Sequence, residues 1–284
     1  MLNVREDIVQ FAGRLSGIVT LREDLAVENH SKGTHAGTRP ALILVSAGLL
    51  SKAGPYRLYA TLARKLAKEG FLVLRFDLGG IGDSQSAPGS APLRVRTEEE
   101  IRAAIDFLSE RYGIERVSLG GLCSGAEDSF LYAENDKRVE RVVLIDPFSY
   151  RTAGWEFHHL LHRAARKVLR TLKIYEPVET KKRKNDVPGG GSLVAYKYIE
   201  VSESTRILGA LLARDVKSHF LYTGGVRETF NHKGQLQKMF PTLDFRGLVT
   251  LDHLPHMDHT QVLEEDRQEM IDRIVARLAD RPTK

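Results

Sequence analysis

The sequence predicts an α/β fold in which helices cover both faces of a mostly parallel, eight-stranded sheet. Three observations support this prediction. Short apolar runs alternate with segments of helical periodicity along most of the chain. One of these runs, Ala41–Ser46, is continuously apolar, as expected for a strand covered on both faces. The alternation is interrupted once, over residues 151–214, which predicts an inserted helical lid.

Eight segments have the pattern of strands. The first two flank Gly13-Arg14 and predict an antiparallel hairpin. The other six mostly alternate with helical segments, which predicts mostly parallel pairing. In chain order the predicted strands are Asp7–Ala12, Ser16–Arg22, Ala41–Ser46, Phe71–Phe76, Arg116–Leu119, Arg141–Asp146, His219–Thr223 and Leu248–Asp252.

Helical periodicity predicts the connecting elements. Thr97 and Glu100 have the spacing of a capping box, which predicts that a helix begins at Thr97. A Pro188–Gly191 break separates the two helices predicted in the lid. The predicted helices are Tyr56–Lys68, Thr97–Arg111, Ser124–Glu134, Gln261–Leu278 and, in the lid, Trp155–Leu172 and Ser204–Ala213. The chain therefore divides into a core of residues 1–150 and 215–284 and a lid of residues 151–214.

Composition favours a soluble intracellular protein. Hydrophobic residues make up 42% of the 284-residue chain and charged residues 28%, a balance typical of globular domains. The longest apolar stretch, near Ala41–Leu50, is too short to span a bilayer. The N-terminus lacks the pattern of a signal peptide. Cys123 is the only cysteine, so no intrachain disulfide can form, and a reducing, cytoplasmic location is the simplest interpretation.

The net charge of +5 comes largely from residues 163–184, which include Lys181–Lys184. Such a basic patch can attract an anionic substrate, a nucleic acid or a membrane surface, although a solvated face is the simpler interpretation. The sequence has neither internal repeats nor a nucleic-acid-binding motif, so we expect no nucleic-acid partner. A homodimer is compatible with the sequence.

The segment Gly121-Leu122-Cys123-Ser124-Gly125 carries the strongest chemical signal. It follows a predicted strand and precedes a predicted helix, the context of a nucleophile elbow with cysteine at its centre. The tight turn requires small flanking residues, and the helix N-terminus stabilises negative charge. A glycine turn around a buried thiol is the structural alternative. Ser124 as nucleophile fits less well, because Leu122 would then occupy a small-residue position.

His259 is the predicted general base. It lies in Asp258-His259-Thr260, after the last predicted strand and before the last helix. When a catalytic triad follows the chain order nucleophile, acid, histidine, the histidine is expected in this loop. His253 and His256 are nearby competitors, and we expect Asp258 to order the loop.

The acid that orients His259 has two candidates. Glu228 is the only carboxylate in the turn after His219–Thr223, and is favoured. Asp146 ends the preceding strand and is the alternative. A carboxylate at either place would hold the imidazole in one tautomer and stabilise its cation.

An oxyanion needs two hydrogen-bond donors. The backbone amides of Ser124 and, in the loop after Ala41–Ser46, of Leu49 are the predicted pair. Gly79, Gly80 and Gly82 hint at a dinucleotide loop, but no helix begins directly after them, so we predict no nucleotide and no other cofactor or metal.

These motifs together resemble the α/β-hydrolases. The resemblance is closest to a bacterial subgroup called exosortase-A-associated or serine aminopeptidase-like hydrolases, and it covers nearly the whole chain. It rests on the segments Gly54–Tyr59, Arg75–Ser84, Gly121–Ala126, Asp146-Pro147, Tyr150–Thr152, Asn231, Gln235, Met239–Pro241 and Asp258–Thr260. The resemblance implies a Cys–His–acid triad and a variable lid, but no particular substrate. Many α/β-hydrolases have an aspartate after the seventh strand, where this chain has Val226-Arg227-Glu228.

The residues and the resemblance lead to three hypotheses. The first is a hydrolase that cleaves a small-molecule or carrier-bound ester or thioester through an acyl-Cys123 intermediate. The second is an acyltransferase that passes the acyl group to an amine or alcohol. The third is a hydrolase-like scaffold that binds without turnover. The predicted lid would select the substrate.

Overall fold

The computed structural model describes residues 3–25, 39–89, 91–171 and 199–280. These residues form an eight-stranded sheet with the strand order β1-β2-β4-β3-β5-β6-β7-β8. The first two strands form an antiparallel hairpin, β2 pairs antiparallel with β4, and all other pairs are parallel. The predicted mixed sheet with helices on both faces is therefore confirmed. The strands are β1 (Val4–Phe11), β2 (Leu15–Arg22), β3 (Ala41–Val45), β4 (Leu72–Phe76), β5 (Val117–Leu122), β6 (Val139–Ile145), β7 (Lys217–Thr223) and β8 (Val249–Leu254).

Seven α-helices connect or follow the strands in the described part of the chain. A helix that connects two parallel strands and packs on the sheet begins near the carboxyl edge. The helices are α1 (Leu58–Lys68), α2 (Leu93–Tyr112), α3 (Ser124–Ala133), α4 (Ala153–Thr171), α5 (Val201–Ala213), α6 (Gln235–Met239) and α7 (Glu264–Leu278). None of them is both long and apolar enough to cross a membrane.

The sheet separates two apolar clusters. On one face Ile43 and Val45 of β3 belong to a cluster with residues of α2, α3 and α5. On the other face Leu42 and Leu44 belong to a cluster with residues of α1 and α7. Both faces of β3 are buried, which explains why its sequence is apolar without alternation.

The predicted start of α2 was wrong. The helix begins at Leu93, and the Thr97 hydroxyl donates to the carbonyl of Leu93 at 3.0 Å rather than capping the helix. The Glu100 carboxylate accepts from the Gly79 amide at 2.8 Å and pairs with Arg14 at 2.7 Å. Tertiary partners thus replace the local capping contacts that the sequence suggested.

The segment predicted as a lid contributes differently along its length. Its last helix, α5, buries Ile207, Leu208 and Leu211 in the core. Its first helix, α4, begins at the carboxyl edge, just after β6. The predicted Pro188–Gly191 break and the Lys181–Lys184 run lie outside the described residues.

Candidate active site

Cys123 lies in a strained turn between β5 and α3. Its φ of 54° and ψ of −121° fall in a region that side-chain-bearing residues rarely occupy. A Cβ at Gly121 would lie 2.5 Å from the carbonyl carbon of Gly125, and a Cβ at Gly125 would lie 2.5 Å from the carbonyl oxygen of Val45. Both glycines are therefore required by the backbone, and the elbow is centred on Cys123.

A buried tyrosine supports this turn from below. The Leu122 amide donates to the Tyr59 hydroxyl at 2.7 Å, and that hydroxyl donates to the Val45 carbonyl at 3.2 Å. Burial raises the pKa of Tyr59 well above its ordinary value, so the hydroxyl stays protonated. Tyr59 thus ties the end of β5 to the end of β3, directly before the thiol.

The His259 imidazole lies between a carboxylate and the thiol. Its Nδ1 is 2.8 Å from Oδ2 of Asp146. Hydrogen bonds to Asp146 and then to Cys123 raise the pKa of His259 to about 10, although burial acts in the opposite direction. Since Nδ1 faces Asp146, Nε2 is the nitrogen left to face the thiol. The structure therefore brings together Cys123 and His259, two of the predicted site residues.

Asp146 is the carboxylate beside His259. It ends β6 with a positive φ of 46° and is 4% exposed. The Thr223 amide donates to Oδ1 at 2.6 Å, and the Thr223 hydroxyl donates to Oδ2 at 2.6 Å. With His259 this makes three hydrogen bonds to one buried carboxylate, which fixes its orientation and satisfies its charge.

The preference for Glu228 over Asp146 does not agree with the geometry. Glu228 is exposed, and its carbonyl accepts from Nε of Arg151 at 3.2 Å. A Cβ at Gly224 would lie 2.2 Å from the Pro255 carbonyl oxygen, and one at Gly225 would lie 2.3 Å from the His259 amide. Because these residues are glycines, the backbone after β7 can pack closely against the histidine loop. The chain then continues to the surface, where the Glu228 side chain is exposed.

In the loop after β3, the Leu49 amide that was predicted to donate to an oxyanion has no backbone acceptor among the described residues. The Gly48 amide donates to the Ser124 hydroxyl at 2.8 Å, and the Leu50 amide donates to the Ala47 carbonyl at 2.9 Å. The Ser124 amide opens α3, where the first amides have no intrahelical acceptor. The Ser124 hydroxyl is held by Gly48, so Ser124 does not occupy the position of a nucleophile.

Lys52 anchors the same loop, a role that the sequence analysis missed. Its amide donates to Oδ1 of Asp77 at 2.5 Å, and its ammonium contacts Asp77 at 2.6 Å and Asp83 at 2.5 Å. Burial lowers the pKa of Lys52, but the hydrogen bonds to both carboxylates raise it above its ordinary value. A Cβ at Gly82 would lie 2.3 Å from Asp77, so this glycine is needed for the clamp. Asp77 directly follows β4, a signal that could have suggested this role.

The neighbouring polar residues have other contacts. His253 packs edge-on against Phe230, and burial lowers its pKa. Nε2 of His256 lies 3.0 Å from Glu269. Asp258 accepts from the amides of Thr260 and Val262, as expected for a residue that orders the loop. His259 is thus the one of the three competing histidines that contacts a buried carboxylate.

The first turn of α4 docks on the backbone after β7. The Trp155 indole donates to the Arg227 carbonyl at 3.3 Å, and the Asn231 amide group donates to the Trp155 carbonyl at 3.0 Å. The Arg151 guanidinium lies 4.3 Å from the centre of the Trp155 ring. The segment that was expected to supply the acid therefore serves as a platform for α4.

Comparison with known proteins identifies the fold. A family model described as alpha/beta hydrolase fold matches residues 40–172. An uncharacterized Escherichia coli protein, YcjY, is 28% identical over 101 residues, which are 34% of this chain and 33% of that protein. The match thus spans about one third of the length of this curated relative.

Solved structures with low sequence identity align along nearly the whole chain. GrgF from Penicillium is 17% identical with a TM-score of 0.59, covering 98% of this chain and 99% of its own. The esterase Pf2001 from Pyrococcus furiosus is 13% identical with a TM-score of 0.58, covering 98% and 91%. Protein PA1622 from Pseudomonas aeruginosa is 20% identical with a TM-score of 0.57, covering 98% and 100%.

Proposed function

Because the chain has the α/β-hydrolase fold, we propose that it is an acyl-processing hydrolase that cleaves an ester or thioester through an acyl-Cys123 intermediate. The observation that carries this proposal is the position of His259, between the sole thiol of the chain and the buried carboxylate of Asp146. A protein of the same fold, from Pyrococcus furiosus, is an esterase, which is in keeping with this reaction class.

The first half-reaction forms the acyl-enzyme. His259 takes the proton of Cys123, and the thiolate attacks the substrate carbonyl carbon, so that a C–S bond forms. The amides of Ser124 and Leu49 donate to the resulting oxyanion. The intermediate then collapses, the bond to the leaving alcohol or thiol breaks, and His259 Nε2 returns the proton to that group.

The second half-reaction releases the acid. Water loses a proton to His259 Nε2 and attacks the thioester carbonyl of acyl-Cys123. The oxyanion again accepts from the two amides, the C–S bond breaks, and the Cys123 sulfur recovers the proton. Asp146 contributes through His259 in both steps, because its carboxylate holds Nδ1–H and stabilises the imidazolium. The raised pKa of His259 supports a cation that balances the thiolate.

Two narrower assignments are part of the proposal. The cysteine-centred elbow supports placement in the bacterial subgroup that the sequence resembles. The contact of α4 with the platform after β7 supports a role for α4 in a cap over the carboxyl edge, where the substrate acyl group would enter.

Intact-mass spectrometry tests the proposal. Wild-type protein incubated with p-nitrophenyl esters and with acyl-N-acetylcysteamine thioesters is expected to gain one acyl mass, which the Cys123→Ala variant does not gain. Asp146→Asn is expected to slow adduct formation strongly, and Glu228→Gln, its matched control, to leave it unchanged. Absence of any adduct in the wild type would contradict the proposal and favour a binding scaffold. Faster loss of the adduct with added amine or alcohol would assign an acyltransferase instead.

A further inference from the structure

Large apolar side chains are exposed mainly at one end of the described structure. The exception is Ile8 on the edge strand β1, which is 83% exposed. Most of the others follow strand ends or lie near the beginnings of helices, and Leu160 and Leu161 lie in the first half of α4. We define the apolar rim as six of them: Leu49, Leu93, Phe157, Leu160, Leu161 and Leu263.

The topology places half of the apolar rim at the edge of the sheet that carries the candidate active site. Leu49 follows β3, Leu93 begins α2 and Leu263 precedes α7. Since helices that connect parallel strands begin at the carboxyl edge, these residues share the edge that carries Cys123. Monomeric soluble proteins rarely expose many large apolar side chains in one region unless that region binds something.

Helix α4 buries Trp155 on one side and exposes three large apolar side chains on the other. Trp155 is buried, stacks on His159 and docks the helix on the platform after β7. Phe157, Leu160 and Leu161 lie about half a turn away by the helical spacing of 100° per residue, and are 61%, 60% and 49% exposed. The outward face of α4 is therefore apolar.

The second half of α4 is positively charged in sequence. From residue 162 to its end, the α4 sequence contains Arg163, Arg166, Lys167 and Arg170 and no carboxylate. Arg163 is exposed in the structure. An amphipathic helix with exposed apolar residues and several cations has the chemistry of segments that lie in the interface of anionic membranes.

We propose that the apolar rim and α4 seat the protein peripherally on an anionic lipid surface, with the edge that carries Cys123 facing the lipid. This proposal is independent of turnover at Cys123. The apolar side chains enter the boundary of the bilayer, and the exposed guanidinium of Arg163 contacts phosphate groups. A lipid surface satisfies both features, whereas an isologous contact with a second copy would bring two cationic helices together.

Vesicle co-sedimentation tests the proposal. We expect the wild-type protein to bind vesicles made of equal parts phosphatidylglycerol and phosphatidylcholine, and to bind pure phosphatidylcholine vesicles more weakly. Combined Phe157→Ser, Leu160→Ser and Leu161→Ser substitutions should weaken binding at least about tenfold. Arg163→Glu should weaken it less, and high salt should reduce the difference between the two vesicle types.

Ile8→Ser is the matched control, because it removes an exposed apolar side chain on the edge strand β1, outside the apolar rim. It should bind vesicles as the wild type does, and thermal unfolding should show that all variants are folded. Cys123→Ala should also bind normally, which separates this proposal from the proposed function. Wild-type protein that stays in the supernatant with both vesicle types would overturn the proposal. Equal weakening by Ile8→Ser and by the triple variant would overturn it too. So would a wild-type protein that forms a dimer and binds no vesicles, if the triple variant is monomeric.

Discussion

The ends of β6 and β7 lie side by side at the carboxyl edge, and they use their acidic residues in different ways. At the end of β6, Asp146 is buried and accepts hydrogen bonds from Thr223 while it contacts His259. After β7 the chain turns through Gly224-Gly225, and Glu228 is exposed. The comparison teaches that burial and prearranged donors, rather than the position of a carboxylate along the chain, decide which carboxylate contacts the histidine.

The largest expected effect separates these two carboxylates. Asp146→Asn should lower kcat roughly 10²- to 10⁴-fold, because the amide cannot hold the productive tautomer of His259. Glu228→Gln should change kcat less than about twofold, since the side chain is exposed. Steady-state kinetics on an activated ester measure both. The reverse order would reassign the acid to Glu228.

Adding a methyl group at Gly225, where the turn after β7 meets the histidine loop, should have the next largest effect. A Cβ at Gly225 would lie 2.3 Å from the His259 amide, so Gly225→Ala must displace the histidine loop. We expect a stability loss of about 1–3 kcal/mol and a large loss of activity. Gly209→Ala in α5 is the control, because its Cβ would meet Leu243 at an ordinary 3.5 Å. Chemical denaturation measures the stability of both variants, and steady-state kinetics measures their activity. Equal losses in the two variants would contradict the close contact between Gly225 and the backbone of His259.

Thr223 supplies the support that distinguishes Asp146 from Glu228. Thr223→Val removes the hydroxyl donor at 2.6 Å but keeps the amide donor. Loss of one hydrogen bond to a charged group should reduce kcat about tenfold with little change in KM. Thr223→Ser should restore most of the activity. If Thr223→Val and Thr223→Ser lose activity equally, packing rather than the hydrogen bond is responsible.

The last expected effect concerns folding rather than turnover, and it is the pH dependence of stability. The pKa of His259 is raised to about 10, so between an unfolded-state pKa of about 6.5 and that value the folded protein binds more protons than the unfolded chain. The contribution of His259 to the free energy of unfolding is therefore full below the unfolded pKa and is lost as pH rises toward 10. Denaturation of wild type and His259→Gln over this range should show the steeper decline in the wild type. Parallel curves would show that the imidazole is not stabilised as a cation.

Local patterns predicted much of the fold and part of the site. The apolar runs of β3 and β4 and the glycines around Cys123 are required by burial and backbone geometry, which act over a few residues. The place of His259 followed from its loop after the last strand. These features could be predicted because neighbouring residues determine them.

Features that depend on contacts between distant segments were harder to predict. Asp146 becomes the partner of His259 because β6 pairs with β7, with Ile145 opposite Leu221, which brings Thr223 beside it. The sequence of neither strand predicts that the two strands pair. Glu100 likewise has a capping-box spacing, yet Gly79 and Arg14, both distant in sequence, bind its carboxylate.

Alkylation of the single cysteine tests the central claim most directly. The rate of iodoacetamide addition to Cys123, followed by intact mass across neutral and mildly acidic pH, reports the thiolate without any assumption about substrate. The account predicts fast alkylation in wild type and Glu228→Gln, and at least about tenfold slower alkylation in His259→Gln and Asp146→Asn near neutral pH. Equal rates in all four proteins would contradict the placement of the imidazole between Asp146 and the thiol.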